Sequence, residues 1–235
     1  APGRAAGRGR RRDGHGVSGD PAVAWIDVTR ALRSGHPNWP GDEPFAWDLN
    51  ARIAEGAAVN AGAIRTSLHV GTHVDAPWHY DDAGVRLGGV SLARYMGEAW
   101  LLDVSTGDGA VGVDALRSAA GGAPLPPRVL LRTGQPDDWG TRFPTDFRAV
   151  SPEAVAWLAE RGVRLLATDA PSVDPLTSKD LPAHRACAAH DVLIAEGLAL
   201  ARAPTGRCEL LLLPLSLPDA DASPARALLR PWRAD

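Results

Sequence analysis

Three histidines and an aspartate fall within eleven residues, in the segment His69-Val-Gly-Thr-His73-Val-Asp75-Ala-Pro-Trp-His79. Five of the seven histidines of the chain lie in two short windows, 69–79 and 184–190. Two imidazoles and a carboxylate are the protein ligands of catalytic zinc or manganese sites, which keep one coordination position open for water. A single histidine is more often an ordinary surface or core-lining residue, but a cluster of this density points to a bound cation. Gly71 and Pro77 disfavour a helix here. In an extended chain, positions 69, 71, 73 and 75 share one side, and Gly71 would leave room for a metal to approach the backbone.

The second window is less decisive by itself. His184 could be a surface histidine on a short helix capped by Asp180. His190 follows it by six residues, about 240° around a helix, so the two cannot face one metal. Glu196 interrupts the apolar run 192–195, where a carboxylate is costly unless paired or metal-bound. Trp39, in the turn-forming stretch 37–42, offers a flat face for an aryl ring and could equally anchor packing. Asp169, Ser172 and Asp174 surround Pro171, where they could orient imidazoles or simply form turns. Cys187 reads as inert helical packing.

The elements that must position these residues are mostly strands. Apolar stretches predict strands at 22–29, 99–104, 128–132, 165–168, 192–195 and 209–213. From 63 to 70 the pattern alternates, with Ile64, Thr66, Leu68 and Val70 on one face and His69 on the other. Ser151, Pro152 and Glu153 open the clearest helix, which Gly162 stops. A second short helix is expected from Leu181 to about His190. Strands with few helices and many Pro and Gly turns predict an α/β fold, a mixed sheet curling into an open barrel with few peripheral helices.

Composition limits the alternatives. A chain of 235 residues with 45% hydrophobic content can bury one substantial core, and residues 21–235 read as a single domain. Residues 1–20 are rich in Arg and Gly with little apolar bulk, and read as a disordered extension. That extension carries five Arg against two Asp, while the whole chain has a net charge of −3, so nucleic-acid binding is not expected of the domain. Every apolar run falls short of the ~18 residues of a membrane helix. Two cysteines without a C-x-x-C pair suit a reducing cytoplasm.

The string HVGTHVDAPWH resembles the H-x-G-T-H-x-D-x-P-x-H signature of the cyclase family of metal-dependent hydrolases. Within that family, residues 25 to about 215 resemble the bacterial kynurenine formamidases (arylformamidases). The supporting stretches are WIDVTRAL at 25–32, NWPGDEPF at 38–45 and TDAPSVDPLTSKDLPAHRACAAHDVLIAEGL at 168–198. The resemblance implies a swivelling β/β/α fold, a homodimer and two divalent ions, zinc or alternatively manganese. His69, His73 and Asp75 would hold one ion and His184 the other, with Asp75 and Glu196 bridging. It also implies that His79 donates and accepts the proton and that Trp39 lines the substrate pocket. The expected reaction is hydrolysis of N-formylkynurenine to kynurenine and formate in tryptophan degradation. The alternatives are a relative acting on a cyclic amide or imide, as isatin hydrolases do, and a non-catalytic binder of a metal or aryl metabolite. A metal centre needs no serine nucleophile, and the sequence has no G-x-S-x-G elbow.

Overall fold

The structure, a computed structural model, describes residues 24–232. The Arg-rich segment 1–20 and the start of the strand expected at 22–29 lie outside the described residues. What is described of that strand is the short β1 (Ile26–Asp27). Four strands run parallel side by side: β5 (Met96–Asp103), β6 (Arg128–Arg132), β7 (Leu165–Thr168) and β8 (Leu193–Glu196). Antiparallel to their neighbours are β4 (His73–Asp75), β9 (Gly206–Pro214) and β10 (Ala222–Pro231). The order β10-β4-β8-β7-β6-β5-β9 returns to β10, so the mixed sheet curls as expected and closes into a ring of seven strands. Closure depends on β10, which is long enough to pair with β4 through residues 222–224 and with β9 through residues 225–231. Closing the ring leaves fewer unpaired edges than an open barrel would.

Strand periodicity explains why the middle residues of the parallel strands are apolar on both faces. Leu101, Leu130, Leu165, Ala167, Leu193 and Ala195 point into the barrel, where they meet Val74, Leu210, Leu212 and Leu229. Their alternate neighbours Leu102, Val129, Leu131, Leu166 and Ile194 point outward. There they are covered by α1 (Val113–Ala120), α2 (Pro152–Glu160) and α3 (Pro182–Ala189), each of which joins two successive parallel strands. Both faces are therefore dry, as parallel sheets require.

Helix α2 begins as the sequence indicates: the Ser151 hydroxyl accepts from the Ala154 N–H at 3.2 Å, Pro152 occupies the first turn, and Gly162 follows the end with a positive φ. Helix α3 does not. Its cap position is Leu181, in the left-handed region at φ +45°, and Asp180 plays no part. The free N–H groups of Ala183 and His184 instead donate to the two oxygens of Asp174, at 2.9 and 3.0 Å.

The alternation at 63–70 also misleads. Its first residues belong to β3 (Ala61–Arg65), which forms a separate exposed hairpin with β2 (Ala46–Ala51). From Thr66 to Thr72 the chain bends rather than extends, and β4 starts afresh at His73.

Candidate metal centre

Strand alternation sets the first layer of the site. Val74 and Ala195 face the barrel interior, so His73, Asp75 and Glu196 emerge on the opposite, helix-covered face. The antiparallel register places His73 directly across from Glu196. Helix α3 lies over this face and contributes His184, which is buried along with the other three.

His69 arrives by a different route. Gly71 has φ +57°, a left-handed turn that folds residues 69 and 70 back over β4. The extended geometry expected for 69–75 therefore holds only from His73 to Asp75, and residues 69–72 bend instead. A Cβ on Gly71 would stand 2.7 Å from Leu32 Cδ2, and one on Gly197 would stand 2.1 Å from the Gly71 carbonyl oxygen. Glycine is needed at both positions for close chain approach. Thr72 locks the crossing, donating its hydroxyl to the Gly197 carbonyl at 2.8 Å and accepting from the Arg30 N–H at 2.8 Å. Arg30, buried, donates further to the carbonyls of Gly197, Pro136, Asp169 and Leu198 and lies 3.9 Å over the Trp139 ring.

The result is convergence. Oδ1 of Asp75 lies 3.0 Å from His69 Nδ1 and 3.5 Å from His73 Nε2, while Oδ2 lies 3.7 Å from His184 Nε2. Glu196 repeats the pattern, with Oε2 at 3.4 Å from His73 Nε2 and Oε1 at 3.7 Å from His184 Nε2. The far nitrogen of each imidazole is occupied by an acceptor. His73 Nδ1 faces the Gly71 carbonyl at 3.1 Å, His184 Nδ1 faces Asp174 at 2.7 Å, and His69 Nε2 faces Asp221 at 3.1 Å. A carbonyl or carboxylate cannot donate, so the facing nitrogens carry the protons and the inner ones are left for a cation.

Both oxygens of Asp75 and His73 Nε2 are buried without a hydrogen-bond partner. Buried polar atoms are ordinarily paired; an orphaned carboxylate flanked by imidazoles fits a divalent metal of the N/O-binding class. Two overlapping ligand groups, His69/His73/Asp75 and Asp75/His184/Glu196, share Asp75.

Without a cation, protons offset the charge. Burial disfavours imidazolium at His69 and His184, yet Asp221 and Asp75 beside the first, and Asp174, Asp75 and Glu196 beside the second, raise each to about 10. Burial likewise works against a charged Asp75, but the imidazoles of His184 and His69 hold it well below the usual carboxylate range.

His79 stands in the 3-10 turn Pro77–His79, its ring centroid 4.0 Å from that of His69 and its Nδ1 3.4 Å from Asp221. Burial pushes its imidazole below the ordinary value, and the positive His69 and His184 add to this against the pull of Asp75. Trp39 lines the cleft above, edge-on to Phe143 at 5.5 Å. The cleft encloses about 540 Å³. His190 is exposed, as its helical position requires.

Asp221, just before β10, joins the cluster with no signal in its own neighbourhood; an isolated aspartate in a Pro/Asp/Ala loop carries no pattern. Of the acids around Pro171, Asp174 orients His184. Asp169 instead accepts from Thr133, Gly134 and Gln135 and closes a loop. Cys187 is buried, and burial pushes its thiol well above the usual range.

Buried imidazoles and carboxylates on the helix-covered face of a closed barrel, under an aromatic cleft, are a donor set suited to a divalent cation. Residues 26–175 match the Cyclase family, and the chain belongs to that family. It is 42% identical over 207 residues to a kynurenine formamidase from Erythrobacter litoralis, covering 87% of this chain and 92% of that protein. Among solved structures, one titled a potential metal-dependent hydrolase with cyclase activity superposes with a TM-score of 0.75 at 27% identity, over 88% of this chain and 98% of that one. Isatin hydrolase A from Labrenzia aggregata shares the fold, with a TM-score of 0.77 at 23% identity over 88% of this chain and 93% of that one.

Proposed function

We propose that this chain hydrolyses N-formyl-L-kynurenine to L-kynurenine and formate. The observation that carries the reading is the convergence of His69, His73, His184, Asp75 and Glu196 on a buried point beside His79, in a chain 42% identical to a kynurenine formamidase. His69, His73 and Asp75 would hold one cation and His184 a second, with Asp75 and Glu196 available to both, since the two oxygens of each carboxylate face different imidazoles. Zinc is proposed, with manganese as the other ion suited to this ligand set.

The bound cation supplies Lewis acidity that makes water a competent nucleophile near neutral pH. His79 moves the proton. Its lowered affinity leaves it neutral and able to accept one from the attacking water, and the same group can deliver it to the departing anilide nitrogen, which leaves poorly until protonated. Trp39 and Phe143 offer the aryl ring an edge-and-face wall.

The catalytic unit is assigned to residues 21–235 as one domain, in a homodimer as the resemblance implies. Exposed Trp47, Ile53, Val59 and Ile64 around the β2–β3 hairpin give a second copy an apolar surface. Two free, buried thiols agree with a cytoplasmic location. Among the described residues no helix is long and apolar enough to cross a membrane.

The test is direct: zinc-supplied protein is mixed with N-formylkynurenine and kynurenine absorbance is followed, with isatin as the comparison substrate. Release of kynurenine, abolished by a chelator and restored by zinc or manganese, is expected. Turnover of isatin alone would replace the formamidase reading with that of a cyclic amidase.

A further inference from the structure

The cleft above the histidine cluster is lined by Trp39, Trp139 and Phe143, and Lys179 is the one lysine or arginine on its wall. It is also the only lysine in the chain. Its side chain is exposed, and the backbone beneath it is held firmly. The Ser178 N–H donates to the Pro175 carbonyl at 2.8 Å, the Leu181 N–H donates to Ser178 Oγ at 3.2 Å, and Leu181 turns through φ +45° into α3. The ammonium therefore works from a fixed base at the rim. Outside the imidazoles of the cluster, the other ionisable groups on the wall are acids, Asp42, Glu196 and Asp221. An anionic ligand would be repelled from such a cleft unless a cation met it.

We propose that Lys179 binds the α-carboxylate of the substrate and so determines specificity for aryl formamides that carry an amino-acid tail. This rests on the formamidase reading. The formamide must reach the buried cluster, the ring fits the Trp39 and Phe143 wall, and the tail is left to extend toward the rim, where Lys179 is the one positive side chain outside the histidine cluster. A neutral aryl formamide gains nothing from that contact.

The experiment compares N-formylkynurenine with formanilide, a neutral aryl formamide, using the full-length zinc-supplied protein. Lys179→Gln is expected to raise KM for N-formylkynurenine about tenfold at low ionic strength, the scale of one charge-assisted contact. Its kcat stays within about twofold, formanilide kinetics do not move, Lys179→Arg recovers KM, and added salt shrinks the difference. A KM unchanged in Lys179→Gln, or one that rises equally for both substrates, overturns the proposal. If the parent protein hydrolyses neither compound, the formamidase reading itself is lost, and kynurenine binding followed by tryptophan fluorescence decides the role of Lys179. Weaker binding by Lys179→Gln than by parent supports it, and equal binding overturns it.

Discussion

Asp75 keeps two unpaired oxygens in a fully buried position, a costly arrangement unless positive charge stands close by. Protons supply that charge in the cation-free protein. His69 and His184 are both raised from 6.5 to about 10, so each holds its extra proton at neutral pH. Because the folded-state values are raised, these contacts stabilise the cation-free protein fully below pH 6.5, and their contribution fades as pH rises through about 10. A metal needs the lone pairs those protons occupy, so loading at pH 7 should expel about two protons. Calorimetric titration with zinc in two buffers of different ionisation enthalpy measures the number, and none released would contradict this charge balance. His79 shares Asp221 with His69 but is not among the residues grouped around Asp75 and Glu196, so His79→Ala should slow turnover about 10²- to 10⁴-fold while leaving metal content unchanged. Stopped-flow rates with metal analysis of the same sample check both halves; an unslowed variant removes His79 from the chemistry.

At the scale of elements, Asp174 does two jobs that its position in the sequence does not separate. One carboxylate caps α3 through Ala183 and His184 and also fixes the His184 ring. Asp174→Ala should therefore cost about 0.5–2 kcal/mol of stability through the cap and weaken metal affinity about 10- to 100-fold through the ring. Urea unfolding and competition with a zinc indicator read these separately; a stability loss with unaltered affinity would leave only the cap. The strands at 128–132 and 165–168 are legible because Val129-Leu130-Leu131 and Leu165-Leu166-Ala167 are apolar runs buried on both faces. The same rule fails for β10, whose Arg226, Arg230 and three-fold pairing interrupt the pattern. It misleads at 66–70, where alternation continues past the end of β3 because Leu68 and Val70 answer to local packing rather than to a partner strand.

Over the whole molecule, the centre ties β4, β8 and α3 together, and a cation there favours the folded state by mass action. With free zinc at about a thousand times its dissociation constant, stabilisation is about 4 kcal/mol. For a chain of this length that corresponds to a rise in Tm of about 8–16 °C. Scanning calorimetry with and without chelator is the measurement, and coincident transitions would mean that the cluster holds no metal in the native state.

Chemistry was readable from the linear chain wherever donors are dense. Three imidazoles and a carboxylate in eleven residues, and a glutamate ending an apolar strand, declare themselves by residue type alone. What only tertiary structure decided is which carboxylate oxygen meets which ring, that Asp221 joins His69 and His79, and that Gly71 turns the chain through a left-handed bend against Leu32. The physical reason is distance along the chain. Asp221 is 152 residues from His69, and its encounter is made by barrel closure through β10, which no local periodicity encodes.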